Sequence, residues 1–404
     1  MVTATAIFVA TYAFLAVGEI PGLRIDRTGA ALIGAGLMIA FGVVSLPEAY
    51  RAVDFDTILL LLSMMILVAY MRLSGFFQLV SKWVAEHART QIGLLIAIVM
   101  VTGFFSAFLV NDAICLVLAP LVVETVKSAK LNPLPYLLGV AMASNVGSVA
   151  TITGNPQNIL IGSLSQISYV SFARALSLPA LAGLVLTIAF VSLGFRSEFR
   201  GSRNLEMSVG QIHVQWGMVA KAAVITLTMV FLFFAGTQPA KAAFVASSLL
   251  LLTRRIKPEK IYREIDWSLL LLFAGLFVVV AAFEKSVISA DVLNRISAFH
   301  LERVSVMSTV AGVLSNIVSN VPAVLLLKPF VVHLPDARPA WLTLAMASTF
   351  AGNFTIVGSV ANLIVVEKAR RQNLRIGFWA YFRVGAPLTI ATILIGVLFL
   401  RRGW

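Results

Sequence analysis

Apolar runs of roughly membrane-crossing length, each closed by a short polar or charged loop, follow one another along nearly the whole chain. The pattern predicts spans at about 3–19, 28–44, 57–80 and 178–195 in the first half. In the second half it predicts them at about 216–234, 240–253, 266–284 and 383–400. Two stretches in each half do not fit a plain span. Residues 91–128 are apolar almost throughout and too long for one crossing of ~20 residues, with one break at Asn111-Asp112. Residues 303–332 break at Ser319-Asn320-Val321-Pro322. Each predicts a re-entrant hairpin, two half-helices entering and leaving on one side. Residues 134–169 and 341–372 predict helices unwound in the middle. Their polar cores are SNVGSVATITGNPQNILIG, from Ser144 to Gly162, and STFAGNFTIVGSVANLIVVE, from Ser348 to Glu367.

These cores are in register. Ser144 falls on Ser348, Thr151 on Thr355, Gly154 on Gly358 and Asn158 on Asn362. LVNDAICLVLAPLVV at 109–123 aligns with VSNVPAVLLLKPFVV at 318–332, and FDTILLLL at 55–62 with IDWSLLLL at 265–272. The chain therefore reads as an all-α polytopic membrane protein of two repeats, 1–195 and 216–404, joined by a cytoplasmic linker at 196–215. Each repeat holds five crossings, and five is odd, so the second lies upside down relative to the first. Inverted repeats with interrupted helices meeting near the bilayer midplane are the architecture of secondary transporters.

Composition agrees. The 404 residues are 59% hydrophobic and 12% charged, about half the charge of a soluble domain. The net charge of +13 sits in short loops, so it reads as topology signal and contact with the lipid bilayer, not as nucleic-acid binding. With the N-terminus outside, loops on the cytoplasmic side hold Arg24, Arg27, Lys82, Arg89, Lys127, Lys130, Arg196, Arg200, Arg203, the group Arg254–Arg263 and the group Lys368–Arg375. External loops hold fewer, such as Arg51, Lys241, Lys285, Arg295 and Arg338. Both termini are then periplasmic. Residues 3–19 read as a retained span rather than a signal peptide.

The chemistry must lie within the membrane. One cysteine, Cys115, excludes an intramolecular disulfide framework, and His87, His213, His300 and His333 have no metal-site spacing. No cofactor or metal is expected. An intramembrane protease would need two membrane aspartates or a His/Glu motif, which the spans lack. There is no Walker-type loop, so the driving force is expected to be a transmembrane proton or sodium gradient, and ATP coupling would need a separate ATPase subunit. A homodimer stays open.

Unwound backbone is tolerated at membrane depth only against protein or a wet cavity. Each interruption also reads as a helix start: Asn155 caps before Pro156, Ser359 caps before ValAlaAsnLeu, and Asn111 and Asn320 are expected caps of the second hairpin arms. Four N-termini, each with about half a positive charge and free N–H donors, then converge. With the hydroxyls of Thr151, Thr153 and Thr355 and the amides of Asn158 and Asn362 they suit an anion or a neutral polyhydroxy species, and unwound carbonyls suit a cation. Alternatively these side chains satisfy the broken backbone. Asp112 is the one carboxylate at either hairpin tip. It is placed to exchange a proton or to ligate Na⁺, or else serves as a carboxylate favoured by its helix dipole. Cys115 reads as packing, Lys221 and Lys328 as snorkelling side chains, and the Phe-rich patch at 230–234 as lipid-facing.

The motifs AxASNxG…TxxGNPxN and AGNxTxxGSxANL resemble the ion transporter superfamily with its citrate-transporter-like domain. LVNDAICLVLAPLVV and LRIDRTGAALIGA resemble the branch of arsenite/antimonite efflux permeases and related bacterial anion permeases. The resemblance implies a bacterial inner-membrane protein with a scaffold and a transport domain that moves as an elevator. It implies a site at Asn111, Asn155, Asn158, Asn320, Thr355, Ser359 and Asn362, with Asp112 for the coupling ion; Thr151, Gly154 and Gly358, paired across the two breaks, are candidate substrate-binding residues beside them. The cargo is expected to be a small inorganic or organic anion, or an arsenite-like oxyacid. A sodium/proton antiporter and a sodium-coupled dicarboxylate or citrate-type symporter are the alternatives. The sodium/dicarboxylate branch has Ser-Asn-Thr at both hairpin tips. Val-Asn-Asp and Ser-Asn-Val stand there in this chain, which favours proton coupling through Asp112.

Overall fold

The structure, a computed structural model, describes residues 1–17, 25–200, 205, 214–252, 255–289, 291–292 and 298–401. Arg24, Arg203, His213, Arg254 and Arg295, and most of the linker at 196–215, lie outside the described residues. The described residues form helices and no strand. The first half holds α1 (Val2–Val17), α2 (Arg27–Ala40), α3 (Leu46–Ala52), α4 (Phe55–Ser74), α5 (Phe76–His87), α6 (Gln91–Phe108), α7 (Asn111–Ser128), α8 (Pro133–Ser148), α9 (Pro156–Ser165), α10 (Tyr169–Gly194) and α11 (Arg196–Phe199). The second holds α12 (Trp216–Phe234), α13 (Pro239–Leu251), α14 (Pro258–Tyr262), α15 (Trp267–Val287), α16 (Val304–Val318), α17 (Asn320–Val331), α18 (Ala337–Ala351), α19 (Val360–Arg371) and α20 (Phe378–Arg401). Among the described residues α4, α6, α10, α12, α15 and α20 are long and apolar enough to cross a membrane.

Local chemistry sets the boundaries. Asp54, Thr90, Asn132, Ser168, Asp266 and Asp336 each accept a backbone N–H in the first turn of the helix that follows. Several predicted boundaries move for the same kind of reason. The span predicted at 57–80 ends at Ser74, because Gly75 turns left-handed (φ 86°) and carries the chain into the amphipathic α5. The first interrupted helix ends at Ser165 rather than 169. Gln166 is left-handed (φ 54°), and the Ser168 cap gives the following residues to α10, which starts well before 178 and takes Pro179 into its interior. The second interrupted helix begins at Ala337, four residues before 341, behind its Asp336 cap. The last crossing starts at Phe378 rather than 383.

The polar interruptions are shorter than their composition suggests. Ser144, Asn145 and Ser148 remain helical at the end of α8, and Ser348 and Thr349 at the end of α18. Only 149–155 and 352–359 leave the α-helix, each with a single 3-10 turn, Ile152–Gly154 and Ile356–Gly358.

Packing separates two groups of helices. α1, α2, α3 and α15 pack together, and α4 packs with α12 and α13. In the other group α6 and α10 lie on α8, α7 on α8 and α19, α16 on α18, and α10 on α20. α9 and α17 sit where the groups meet, against α4 and α15 respectively. Two polar ties cross the boundary. Tyr12 Oη donates to the Pro322 carbonyl at 3.2 Å, and Lys328 pairs with Glu284 at 3.0 Å. Lys328 is thus engaged with α15 rather than only reaching for the interface, and Lys221 donates to the Leu252 carbonyl at 2.7 Å beyond the end of α13. In the Phe-rich patch Phe231 and Phe234 face outward, but Phe233 is buried against Tyr169 with ring centroids 5.0 Å apart.

Outside the spans, Ser45 and Glu48 form a reciprocal cap on α3. Glu48 also takes Lys285 at 2.7 Å, which fastens α3 to α15. The hydrogen bond from Lys285, then those from Ser45, hold the Glu48 carboxyl down at about 2. A depressed native pKa contributes stability above the unfolded value of about 4.3 and loses it as pH falls through about 2. Thermal-unfolding scans of purified wild type and Glu48→Gln should therefore differ at pH 7 and converge between about pH 4 and pH 2. A constant difference across that range would show that the carboxylate contributes nothing through its charge.

Candidate functional site

The two hairpin tips and the two second half-helices meet at one place. A cavity of about 70 Å³ is lined by Asn111 and Asp112 at the start of α7, Pro156 and Gln157 at the start of α9, Ser319 to Pro322 at the start of α17, and Ser359 and Val360 at the start of α19. Leu15, Arg27, Leu269 and Leu272 from the other helix group close it. Four helix N-termini therefore meet at one small space, an electropositive arrangement relieved by Asp112.

Behind the cavity stands Asn145, fully buried on α8. Its Nδ2 donates to Asn353 Oδ1 at 2.8 Å and Asn362 Oδ1 at 3.0 Å. Its Oδ1 accepts from Asn111 Nδ2 at 3.0 Å and Ser359 Oγ at 2.9 Å. One side-chain amide, with all four of its hydrogen-bonding positions used, ties α8 to the first hairpin and to both sides of the second break.

The breaks are closed twice by one device. Asn158 Nδ2 donates to the carbonyls of Ser148 and Thr151, both at 3.0 Å. Asn362 Nδ2 donates to those of Gly352 and Thr355, at 2.7 and 3.2 Å. All three positions keep one constant offset between the halves. The caps cross over in the same register. Asn155, which accepts from Asn158 N at 2.8 Å, reaches Thr349 Oγ1 at 3.2 Å, and Ser359, the counterpart of Asn155, reaches Asn145, the counterpart of Thr349. Gly154 and Gly358 allow the tight return. A Cβ on Gly154 would lie 2.7 Å from the Ser148 carbonyl carbon, and one on Gly358 2.9 Å from the Gly352 oxygen.

The residues singled out in the sequence thus divide. Asn111, Asp112, Asn320 and Ser359 line the cavity. Thr151, Gly154, Asn155, Asn158, Thr355, Gly358 and Asn362 stand behind it, holding the unwound backbone. Two expected caps are corrected. α7 starts at Asn111 itself, after Val110, and the Asn111 amide turns to Asn145 instead of capping. α17 starts at Asn320 after Ser319, whose φ of 77° leaves no side-chain cap. The Asn320 orientation that satisfies both ends of its amide donates to the carbonyls of Gly358 and Ser348, each at 3.2 Å, and accepts from Gln157 Nε2 at 3.1 Å. Cys115 packs as expected, its Sγ donating to Ser144 Oγ at 3.0 Å. Arg27, Gln157, Asn145 and Asn353 carry weight that sequence reasoning did not assign. The AxASNxG and AGNxT motifs contained Asn145 and Asn353, but only the fold brings them together.

Among the described residues Asn111 Oδ1, Asn158 Oδ1, Asn316 Oδ1 and Thr355 Oγ1 are buried without a hydrogen-bond partner.

A family model described as a citrate transporter matches residues 12–351. The chain belongs to that family. As a member of the citrate transporter family it is a membrane transporter, not an enzyme. It is 28% identical to the 46 kDa membrane protein of Mycobacterium leprae, over 99% of this chain and 98% of the relative. It is also 28% identical to a silicon efflux transporter of Oryza sativa subsp. japonica, over 94% and 93% of the two chains. It is 26% identical to a putative transporter arsB of Dictyostelium discoideum, over 93% and 87%. Among solved structures its fold is similar to the Alcanivorax borkumensis YdaH transporter, with a TM-score of 0.60 at 16% identity, covering 100% of this chain and 97% of that one.

Two outcomes follow for the transporter's core. Asn145→Ala strands several buried groups, each worth about 1–3 kcal/mol when unpaired. It should lower the unfolding temperature in detergent far more than Thr11→Val, whose hydroxyl bonds only the Ile7 carbonyl on its own helix. Gly154→Ala should destabilise by about 1–3 kcal/mol and more than Gly358→Ala, since its new methyl meets backbone more closely. The same scans decide both, and equal effects within either pair would contradict the geometry.

Proposed function

We propose that this protein is a secondary active transporter that moves an arsenite-like oxyacid or a small anion across the bacterial inner membrane, coupled to protons through Asp112. The observation that carries the reading is the single cavity bounded by both hairpin tips and both second half-helices. Its chemistry favours oxygen-rich cargo. N-terminal N–H groups and Arg27 supply donors, Asn111, which lines the cavity, keeps a buried Oδ1 without a partner, and an oxyacid offers both O–H and O. The names of the silicon efflux and arsB relatives support the same class of cargo.

Asp112 shares the cavity, so its charge and the cargo are linked. A neutral oxyacid donates its O–H to the carboxylate and competes with the proton, which gives exchange. An anion is repelled by the carboxylate and binds with the protonated form, which gives cotransport. The repeats 1–195 and 216–404, joined through 196–215, are proposed to be inverted, with both termini periplasmic. α6–α7 and α16–α17 are the re-entrant hairpins. With α8 to α10 and α18 to α20 they form the transport domain, which moves as an elevator against a scaffold of α1 to α4, α12, α13 and α15.

The unpaired oxygens of Asn111, Asn158, Asn316 and Thr355 favour a second reading, in which Na⁺ is the coupling ion of an antiporter or symporter. Proteoliposome flux of arsenite, citrate, sulfate and Na⁺ under separate proton and sodium gradients, with Asp112→Asn beside wild type, separates the readings. The expected result is proton-driven arsenite or small-anion flux that Asp112→Asn abolishes. Flux that follows only sodium, or proton-driven flux that survives Asp112→Asn, would overturn the proposal.

A further inference from the structure

Asp112 lines a second cavity as well as the central one. This space, about 230 Å³, lies between α4, α7, α15 and α19 and also contains Arg72, Glu264 and Asp266. Its walls are otherwise apolar, from Met65, Val68, Val117 and Ile364. Arg72 and Glu264 are ion-paired and only partly exposed, at 38% and 26%. Asp266 caps α15, accepting from Leu269 N at 3.0 Å, and is exposed.

A comparable cavity of about 250 Å³ lies at the other end of α4. It is lined by Asp56, Gln166, Tyr169 and Gln238, with Gln238 donating to Asp56 at 2.7 Å. Asp56 and Asp266 are repeat counterparts in FDTILLLL and IDWSLLLL. Asp56 and Arg72 stand about 24 Å apart along α4 at ~1.5 Å per residue, close to the thickness of a bilayer core. The two spaces therefore lie near opposite ends of α4. Only the one beside Asp266 reaches Asp112.

Resting on the proton-coupled reading above, we infer that the cavity between α4, α7, α15 and α19 is the route by which protons reach Asp112, with the Arg72–Glu264 pair as the gate at its mouth. Three carboxylates against Arg72, with Lys368 beside the Arg72–Glu264 pair, leave the space net acidic, which disfavours an oxyanion and favours cations. Its apolar walls offer no donors to hold cargo, whereas charged groups along it keep it wet. A proton from water at the Arg72 face is taken by the Asp112 carboxylate, which becomes neutral on the wall shared with the cargo cavity. The charged and titratable groups about Asp112 are Arg72 from α4, Glu264 and Asp266 before α15, Arg27 from α2 across the central cavity, and Cys115 on its own helix. Lys368 of α19 interacts with Arg72 and Glu264. The route is separate from the cargo site, so access to it and cargo affinity are expected to change independently.

Two measurements test this in a Cys115→Ser background that still transports. Val68→Cys and Val117→Cys, single cysteines on the cavity walls, are treated with a membrane-impermeant thiol reagent from each face in turn. Labelling is expected from the Arg72 face and not from the Asp56 face, and faster by about tenfold or more when Glu264→Gln opens the gate. Asp266→Asn is expected to slow proton-driven flux and shift its pH profile while leaving the KM for cargo unchanged. No labelling from the Arg72 face, or an Asp266→Asn profile like wild type, overturns the route. If proton-driven flux survives Asp112→Asn, the proton-coupled reading itself has failed, and labelling then reports only a water-filled crevice.

Discussion

The interior of this protein depends on one side-chain amide. A helix that stops inside the hydrocarbon leaves donors and acceptors that lipid cannot satisfy, and here α8 and α18 both stop. Asn145 meets the debt of the second break from the last turn of the first helix, bonding Asn353 and Asn362 while receiving Asn111 and Ser359. Because those partners come from α7, α19 and the turn after α18, the amide fixes the distance between the first hairpin tip and the second half-helix. The cavity exists at that separation.

The remaining polar groups follow the same economy of parts. Asn158 and Asn362 close their own breaks through pairs of backbone carbonyls, and Asn155 and Ser359 each cap a half-helix and reach into the opposite repeat. The reach across makes the two halves a single unit. Residues in this network hold the unwound backbone, and a different, shorter list lines the cavity wall: Arg27, Asn111, Asp112, Gln157, Asn320 and Ser359 among them. That wall is electropositive at its helix ends and carries one carboxylate, Asp112, which is why the proposed coupling is placed there.

The repeat was legible in the sequence because its glycines, asparagines and hydroxyls answer strict steric and hydrogen-bond needs at fixed positions: Gly154 and Gly358 sit where no Cβ fits. The helices were legible from apolar run length. The shortness of the breaks was not, since Ser144, Asn145 and Ser148 have compositions typical of loops, yet the two serine hydroxyls bond carbonyls one turn back on α8 and Asn145 finds partners far along the chain. The caps proposed for Asn111 and Asn320 failed for the same reason, each amide being drawn to a tertiary partner. Arg27 read as a loop charge and Glu264 had no reading of its own. Only packing shows that Arg27 closes the central cavity and that Glu264 pairs with Arg72 beside Asp112's second cavity.

The central claim is that the charge on Asp112 and the occupancy of the cavity are linked. Calorimetric titration of the purified protein with arsenite, in two buffers of different ionisation enthalpy, reads that linkage as protons exchanged on binding. Release of up to about one proton in wild type, absent in Asp112→Asn, is the expected result. Arsenite binding with no proton exchange in wild type, or with the same exchange in Asp112→Asn, would contradict it.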